Sequence, residues 1–256
     1  MPKTAFDPQL HGFAFANSFR LAPDERGKLI AALATAIDGA LGTLGLLGLA
    51  ARILGVRDKL ARLLVSAVPD NYGLCGGMAF AALDYFRAGR PVPRGTGPND
   101  QPSVGSTLRL YLWQRLLESW ASNGVTFLEW IARLHLLPAR WPFDAGPRAL
   151  RDRSRDAWRT LKRSIDAGDP VPIGLVGEAT DPFLDHQVLA YGYDPKTDLS
   201  GTIYVYDMNC PGAGQTIEID LSTDVLSATE SCPRAGNALR GFFCESYAAG
   251  TPPAIA

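Results

Sequence analysis

Three side chains in this chain have the types and the order needed for nucleophilic acyl transfer. Cys75 follows the break Asn71-Tyr72-Gly73 and opens a helical run that ends at Gly89. A thiol at a helix N-terminus has its thiolate stabilised by unpaired N–H groups and the macrodipole. Gly76 and Gly77 behind it leave space for a substrate backbone. His186, one of three histidines, opens the strand-like run His186-Gln-Val-Leu-Ala-Tyr-Gly-Tyr193. Val188, Ala190 and Gly192 share its parity, so its face reads as a cleft wall of small residues. Asp207-Met-Asn209 closes the next strand-like run. If the two runs form a hairpin, Asp207 or Asn209 stands beside His186.

A nucleophile, a base and a group that orients the base make a triad. Asp207 is the expected orienting group. It lies nearer the strand register, and a carboxylate holds an imidazolium better than an amide does. Asn209 is the alternative third residue. Taken singly, each member has a plainer role: a small buried thiol, a surface strand histidine, a turn cap. The set, in this order, points to chemistry.

The elements that must carry these residues change texture along the chain. Residues 24 to 167 read as helical. Leu29, Ile30, Leu33 and Ile37 fall on one face behind Pro23-Asp24, and Val56 to Ala67 marks a further helix. Another starts at Cys75. Arg90 to Gly105 is a Pro/Gly-rich loop, followed by expected helices at about Thr107–Ala121, Thr126–Leu137 and Arg148–Ala167. From Pro170 the runs become short, β-branched or aromatic: Val171–Gly177, His186–Tyr193, Thr202–Tyr206, Thr216–Asp220 and Arg240–Tyr247. Asp194 to Gly201 reads as a hairpin connection. The expectation is an α+β fold in one domain over 1–256, a helical lobe to about 168 and then an antiparallel sheet lobe.

Gly73-Leu-Cys-Gly-Gly-Met, the His186 run and Tyr204-Val-Tyr-Asp-Met-Asn-Cys-Pro-Gly resemble the papain-like cysteine peptidases. The nearest in look is the bacteriocin-processing branch. The resemblance covers the Cys75 helix and residues 170 to 247; the helices around it look unusual for the group. It implies Cys75 as nucleophile, His186 as base and Asp207 as the orienting carboxylate, with no cofactor and no metal. Members of that family usually carry a Gln about six residues before the cysteine for the oxyanion hole, and position 69 here is Pro. Asn71 is the expected substitute, beside the Cys75 backbone N–H. The implied activity is a hydrolase cleaving a peptide or amide bond through a thioester. Two alternatives are an acyltransferase or amidase on a small or lipid-like substrate, with the apolar helices 29–68 as acyl pocket, and a catalytically inactive binding module.

Composition narrows the remaining classes. The chain has 256 residues, 46% of them hydrophobic and 20% charged, which suits a folded core rather than a disordered chain. A net charge of −1 argues against nucleic acid as a partner. The longest uncharged apolar run, Gly39 to Ala51, is too short for a membrane span, which takes about 20 residues. No signal peptide is legible at the start. The expectation is therefore a cytoplasmic protein, with export by another route as the alternative, whose four cysteines are free thiols, with Cys210 and Cys232 the one pair worth checking. Arg148, Arg151, Arg155 and Arg159 alternate with Asp152 and Asp156 as a salt-bridged solvated face. Oligomeric state is not legible.

Overall fold

The computed structural model describes residues 1–43, 70–137, 144–234 and 236–255. The helix expected over Val56 to Ala67 lies outside them. Among the described residues, five α-helices and an antiparallel sheet make an α+β fold. The helices are α1 (Pro8–His11), α2 (Pro23–Thr43), α3 (Cys75–Arg87), α4 (Thr107–His135) and α5 (Pro147–Asp166). Two short strands, β1 (Phe19–Arg20) and β2 (Asn71–Tyr72), pair antiparallel just before α3. The main sheet holds β3 (Val171–Gly177), β4 (His186–Thr197), β5 (Ser200–Tyr206), β6 (Gln215–Asp220), β7 (Ser227–Glu230) and β8 (Leu239–Cys244). Its order is β7-β6-β5-β4-β3-β8, and it curls until the two edge strands come near each other.

Strand alternation sends side chains to two faces, and each face has its own helical cover. Ile173, Leu175, Val188, Ala190, Ile203, Val205, Ile217 and Phe242 fill one face with Trp158, Leu161 and Ile165 of α5. Leu189, Tyr191 and Tyr206 fill the other with Met78, Ala79 and Ala82 of α3. The expected cleft wall beside His186 is thus corrected: Val188 and Ala190 are fully buried core under α5. The expected hairpin connection also differs in detail. β4 and β5 run almost to a tight turn, with Thr197 opposite Ser200, so the expected loop from Asp194 is mostly ladder.

The two helices expected between 107 and 137 are one. Asn123-Gly124 reads as a break, yet both residues are buried inside α4. A Cβ at Gly124 would stand 2.6 Å from the Trp120 ring and 3.0 Å from Ala36, so glycine lets α2 approach. The Asn123 amide donates to the Ser246 carbonyl (3.1 Å) and accepts from its N–H (2.8 Å). Tertiary contact, not local breaking, explains both residues. On α5, Arg159 pairs with Asp156 in solvent as expected, but Arg151 is buried and donates to the Thr223 carbonyl.

The first seventeen residues run along the sheet and end at the cavity described below. Thr4 N–H donates to Tyr191 O (2.8 Å) and Tyr193 N–H to Pro2 O (3.0 Å). Phe6, Phe13 and Phe15 then enter the core. Ala14 and Ala16 hydrogen-bond the loop after α3, and Asn17 N–H donates to Met208 O (3.0 Å).

Candidate active site

A cavity of about 420 Å³ opens where the start of α3 meets the start of β4. Its lining includes Cys75, His186, Gln187, Asn209 and Arg234, with an aromatic wall of Tyr72, Trp120, Phe127 and Phe183. Cys75 is the first residue of α3. Leu74 caps that helix without a side-chain hydrogen bond, and the first turn carries no acidic residue. The N-terminal N–H groups are therefore left to act on the thiol.

His186 is 4% exposed and sits against Asp207, which is 3% exposed. Its Nε2 lies 2.8 Å from Asp207 Oδ1, so Nδ1 is the ring nitrogen left for Cys75. Burial alone would lower the His186 pKa. The Asp207 charge and hydrogen bond, joined by the interaction with Cys75, outweigh it and push the imidazole up to about 10. Burial likewise opposes charge on Asp207, and the His186 charge and hydrogen bond hold its carboxyl below the usual range. The pair is thus built to carry an imidazolium beside the sulphur, the state a thiolate nucleophile needs. Asp207 Oδ1 also accepts from the Asn209 N–H at 2.8 Å. Asn209 takes the neighbouring place on the cavity rim, its Oδ1 receiving Asn17 Nδ2 at 2.9 Å.

Asn71 is not brought to this place. It is exposed, pairs with Arg20 in the β1–β2 ribbon and does not line the cavity. The residue beside it does: Tyr72 faces in, because strand alternation turns the two in opposite directions. Burial, and then the nearby Cys75 charge, hold the Tyr72 hydroxyl protonated, and Trp120 hydrogen-bonds to it. Asn17 also lines the cavity, with its Oδ1 buried and unpartnered. Nothing local in the sequence around residue 17 marks it, since it arrives along the sheet from the far end of the chain.

Gly76 and Gly77 have tasks other than the one expected. A Cβ at Gly76 would stand 1.9 Å from Gln187 Oε1, and one at Gly77 2.2 Å from the Leu112 carbonyl of α4. The glycines admit a side chain and a helix, not a substrate backbone. Gln187 extends from β4 over the start of α3. Its Nε2 donates to Ser119 Oγ (2.6 Å) and to Glu245 Oε1, while its Oε1 lies 3.9 Å from Cys75 Sγ.

The thiol expectation is overturned. Cys210 and Cys232 form a disulfide with Cα atoms 6.0 Å apart, leaving Cys75 and Cys244 free. It fastens the chain after Asn209 to the chain before Pro233 and Arg234, all three on the cavity wall. Disulfides persist in oxidising surroundings, so the pairing lends no support to a reducing compartment. Among the described residues no helix is long and apolar enough to cross a membrane.

In comparisons with family models, curated proteins and solved structures, nothing matches this chain.

Proposed function

We propose that the chain is a cysteine hydrolase of papain-like type, cleaving a peptide or amide bond. The observation that carries the reading is the convergence of Cys75, at an uncapped helix start, and the His186–Asp207 pair on one cavity. The Cys75 sulphur attacks the carbonyl carbon, its proton having passed to His186 Nδ1. The imidazolium, held by Asp207, returns that proton to the leaving nitrogen. A thioester is left, which water hydrolyses with His186 acting again as base. The oxyanion is received by the Cys75 N–H, with the Tyr72 hydroxyl as a side-chain donor on the same cavity. The substrate is a peptide or a small amide.

The aromatic wall favours one second reading, an acyltransferase or amidase whose acyl group lies against Trp120, Phe127 and Phe183. The alternative first invoked the apolar helices 29–68; residues 44–68 of these lie outside the described chain, and the wall supports the reading without them. An inactive binding module is disfavoured by the intact His186–Asp207 geometry.

The two free thiols give the test. Burial, with Glu245 adding to it, pushes the Cys244 thiol up to about 12. Iodoacetamide at pH 6 is expected to label Cys75 and leave Cys244 untouched, and Cys75→Ala to abolish turnover on a panel of peptide, amide and acyl substrates. Equal labelling of both thiols removes the reading.

A further inference from the structure

Gln187 and Glu245 form a second polar system behind the nucleophile. An amide offers two N–H donors at one end and an acceptor at the other, and which end points where follows from its neighbours' protons. In the structure both N–H groups are used, on Ser119 Oγ and Glu245 Oε1, and the carbonyl faces Cys75 Sγ at 3.9 Å. That arrangement suits a thiol S–H, which donates to the carbonyl. It does not suit a thiolate, which would then face an acceptor.

The amide has one other self-consistent orientation. Turned about its last torsion, it aims an N–H at the sulphur and its carbonyl at Ser119 and Glu245. Both neighbours must then donate. The Ser119 hydroxyl can do so always; Glu245 can do so only when protonated. Gly76 leaves the amide the room it occupies over the helix start, and Ser119 is fully buried.

Glu245 is suited to hold that proton. It is 7% exposed, and its Oε2 is buried with no partner. An ionised carboxylate there would be a poorly compensated buried charge. Burial raises its pKa to about 8, against the hydrogen bond from Gln187 and the His186 charge, which lower it. Among the described residues, these polar and titratable groups lie around it. His186 faces it from β4, and Cys75 reaches it from α3 through Gln187. From α4 come the uncharged Ser119 and Asn123, while Glu118 is turned to Gln114 and Arg115. Cys244 is its chain neighbour, with Arg163 of α5 acting on that thiol.

We propose that Gln187 is a positioning residue for the Cys75 sulphur, and that the proton on Glu245 decides which end of its amide faces that sulphur. With Glu245 protonated, the amide N–H holds the thiolate after the Cys75 proton has passed to His186. With Glu245 ionised, the carbonyl returns and the thiol form is favoured. The inference rests on the Cys75–His186–Asp207 reading and adds to it a shut-off on the alkaline side.

The test is the rate of iodoacetamide labelling of Cys75 from pH 5 to 10 on the whole chain, with the labelled peptide mapped. An ordinary thiol reacts faster as pH rises. Here the wild-type rate is expected to fall about tenfold between pH 7 and 9, the size of one lost hydrogen bond to a charged group. Glu245→Gln keeps a donor toward Gln187 at every pH, so its rate stays level across that window. Gln187→Met is slower by about tenfold at pH 6 and shows no fall. A wild-type rate that climbs steadily from pH 6 to 10 overturns the proposal without any variant, as does one profile shared by wild type and folded Glu245→Gln. If Cys75 is labelled first at pH 6 and only the fall is missing, the triad stands and the Gln187 switch is gone. If Cys75 is not labelled first, both are overturned.

Discussion

Reducing the Cys210–Cys232 bond removes a staple whose loop spans 22 residues. Tying the ends of a loop of that size lowers the unfolded chain's entropy by an amount worth about 3.4 kcal/mol at 25 °C in the chain-entropy account. For a chain of this length, that is a fall in melting temperature of roughly 7–13 °C. The measurement is urea and thermal unfolding of the Cys75→Ser protein with and without a phosphine reductant. Cys210→Ser/Cys232→Ser serves as the permanently open form. That form is expected to match the reduced protein and to show lower turnover on the Cys75 background, because Asn209, Pro233 and Arg234 lose their common anchor. Unfolding midpoints that coincide with and without reductant refute the reasoning, since they mean the two thiols are not joined in the folded protein.

Three further outcomes follow from the site. Asp207→Ala lowers turnover by up to about 10⁴-fold, the scale seen when an orienting group is lost. Asn209→Ala, whose side chain meets only the rim, costs far less; steady-state kinetics on both folded variants checks the ranking, and the reverse order transfers the role. Gly76→Ala drives a methyl into the Gln187 amide, where only 1.9 Å is free, and is expected to destabilise by about 1–3 kcal/mol as overpacking does, read from denaturant midpoints. Burial raises the Asp185 carboxyl to about 7, against the Gly177 N–H and Arg234, which lower it. The folded protein therefore binds more protons than the unfolded chain between about pH 4 and 7, and stability falls as pH rises through that window. Asp185→Asn removes its share of that slope in pH-dependent melting, leaving the share of Glu245, and an unchanged slope refutes the Asp185 contribution.

The sequence made the convergence of Cys75, His186 and Asp207 legible because these residues sit at element boundaries, where local pattern is strong: a helix start, a strand start, a strand end. The antiparallel sheet was legible for the same reason, its strands being short β-branched runs set off by Gly, Pro and Asp. What escaped was whatever depends on a partner far along the chain. Asn123-Gly124 looks like a helix break until α2 and Ser246 are placed beside it. Gln187 falls on the opposite parity from His186, so alternation sends it away from the base; only the packing of α3 on that face brings it to Cys75. Glu245 did leave a trace, a lone carboxylate directly after the apolar run Phe242-Phe-Cys244, and a solitary charge there asks for a buried partner. Asn71 was expected at the site and does not reach it. A two-residue strand is too short for alternation to show in sequence, and it is Tyr72 that turns inward.

The path of the first seventeen residues sets when the cavity rim can close during synthesis. Asn17 closes on Asn209 across 192 positions, and the strand that Thr4 meets is made nearly as late. At about 5–20 residues per second, the ribosome needs roughly 10–40 s to cover that separation. Until then Cys75 has emerged without its base, its carboxylate or its rim. On the proposed reading, a nascent chain thus carries an unarmed thiol from the emergence of Cys75 until Asn209 has followed it.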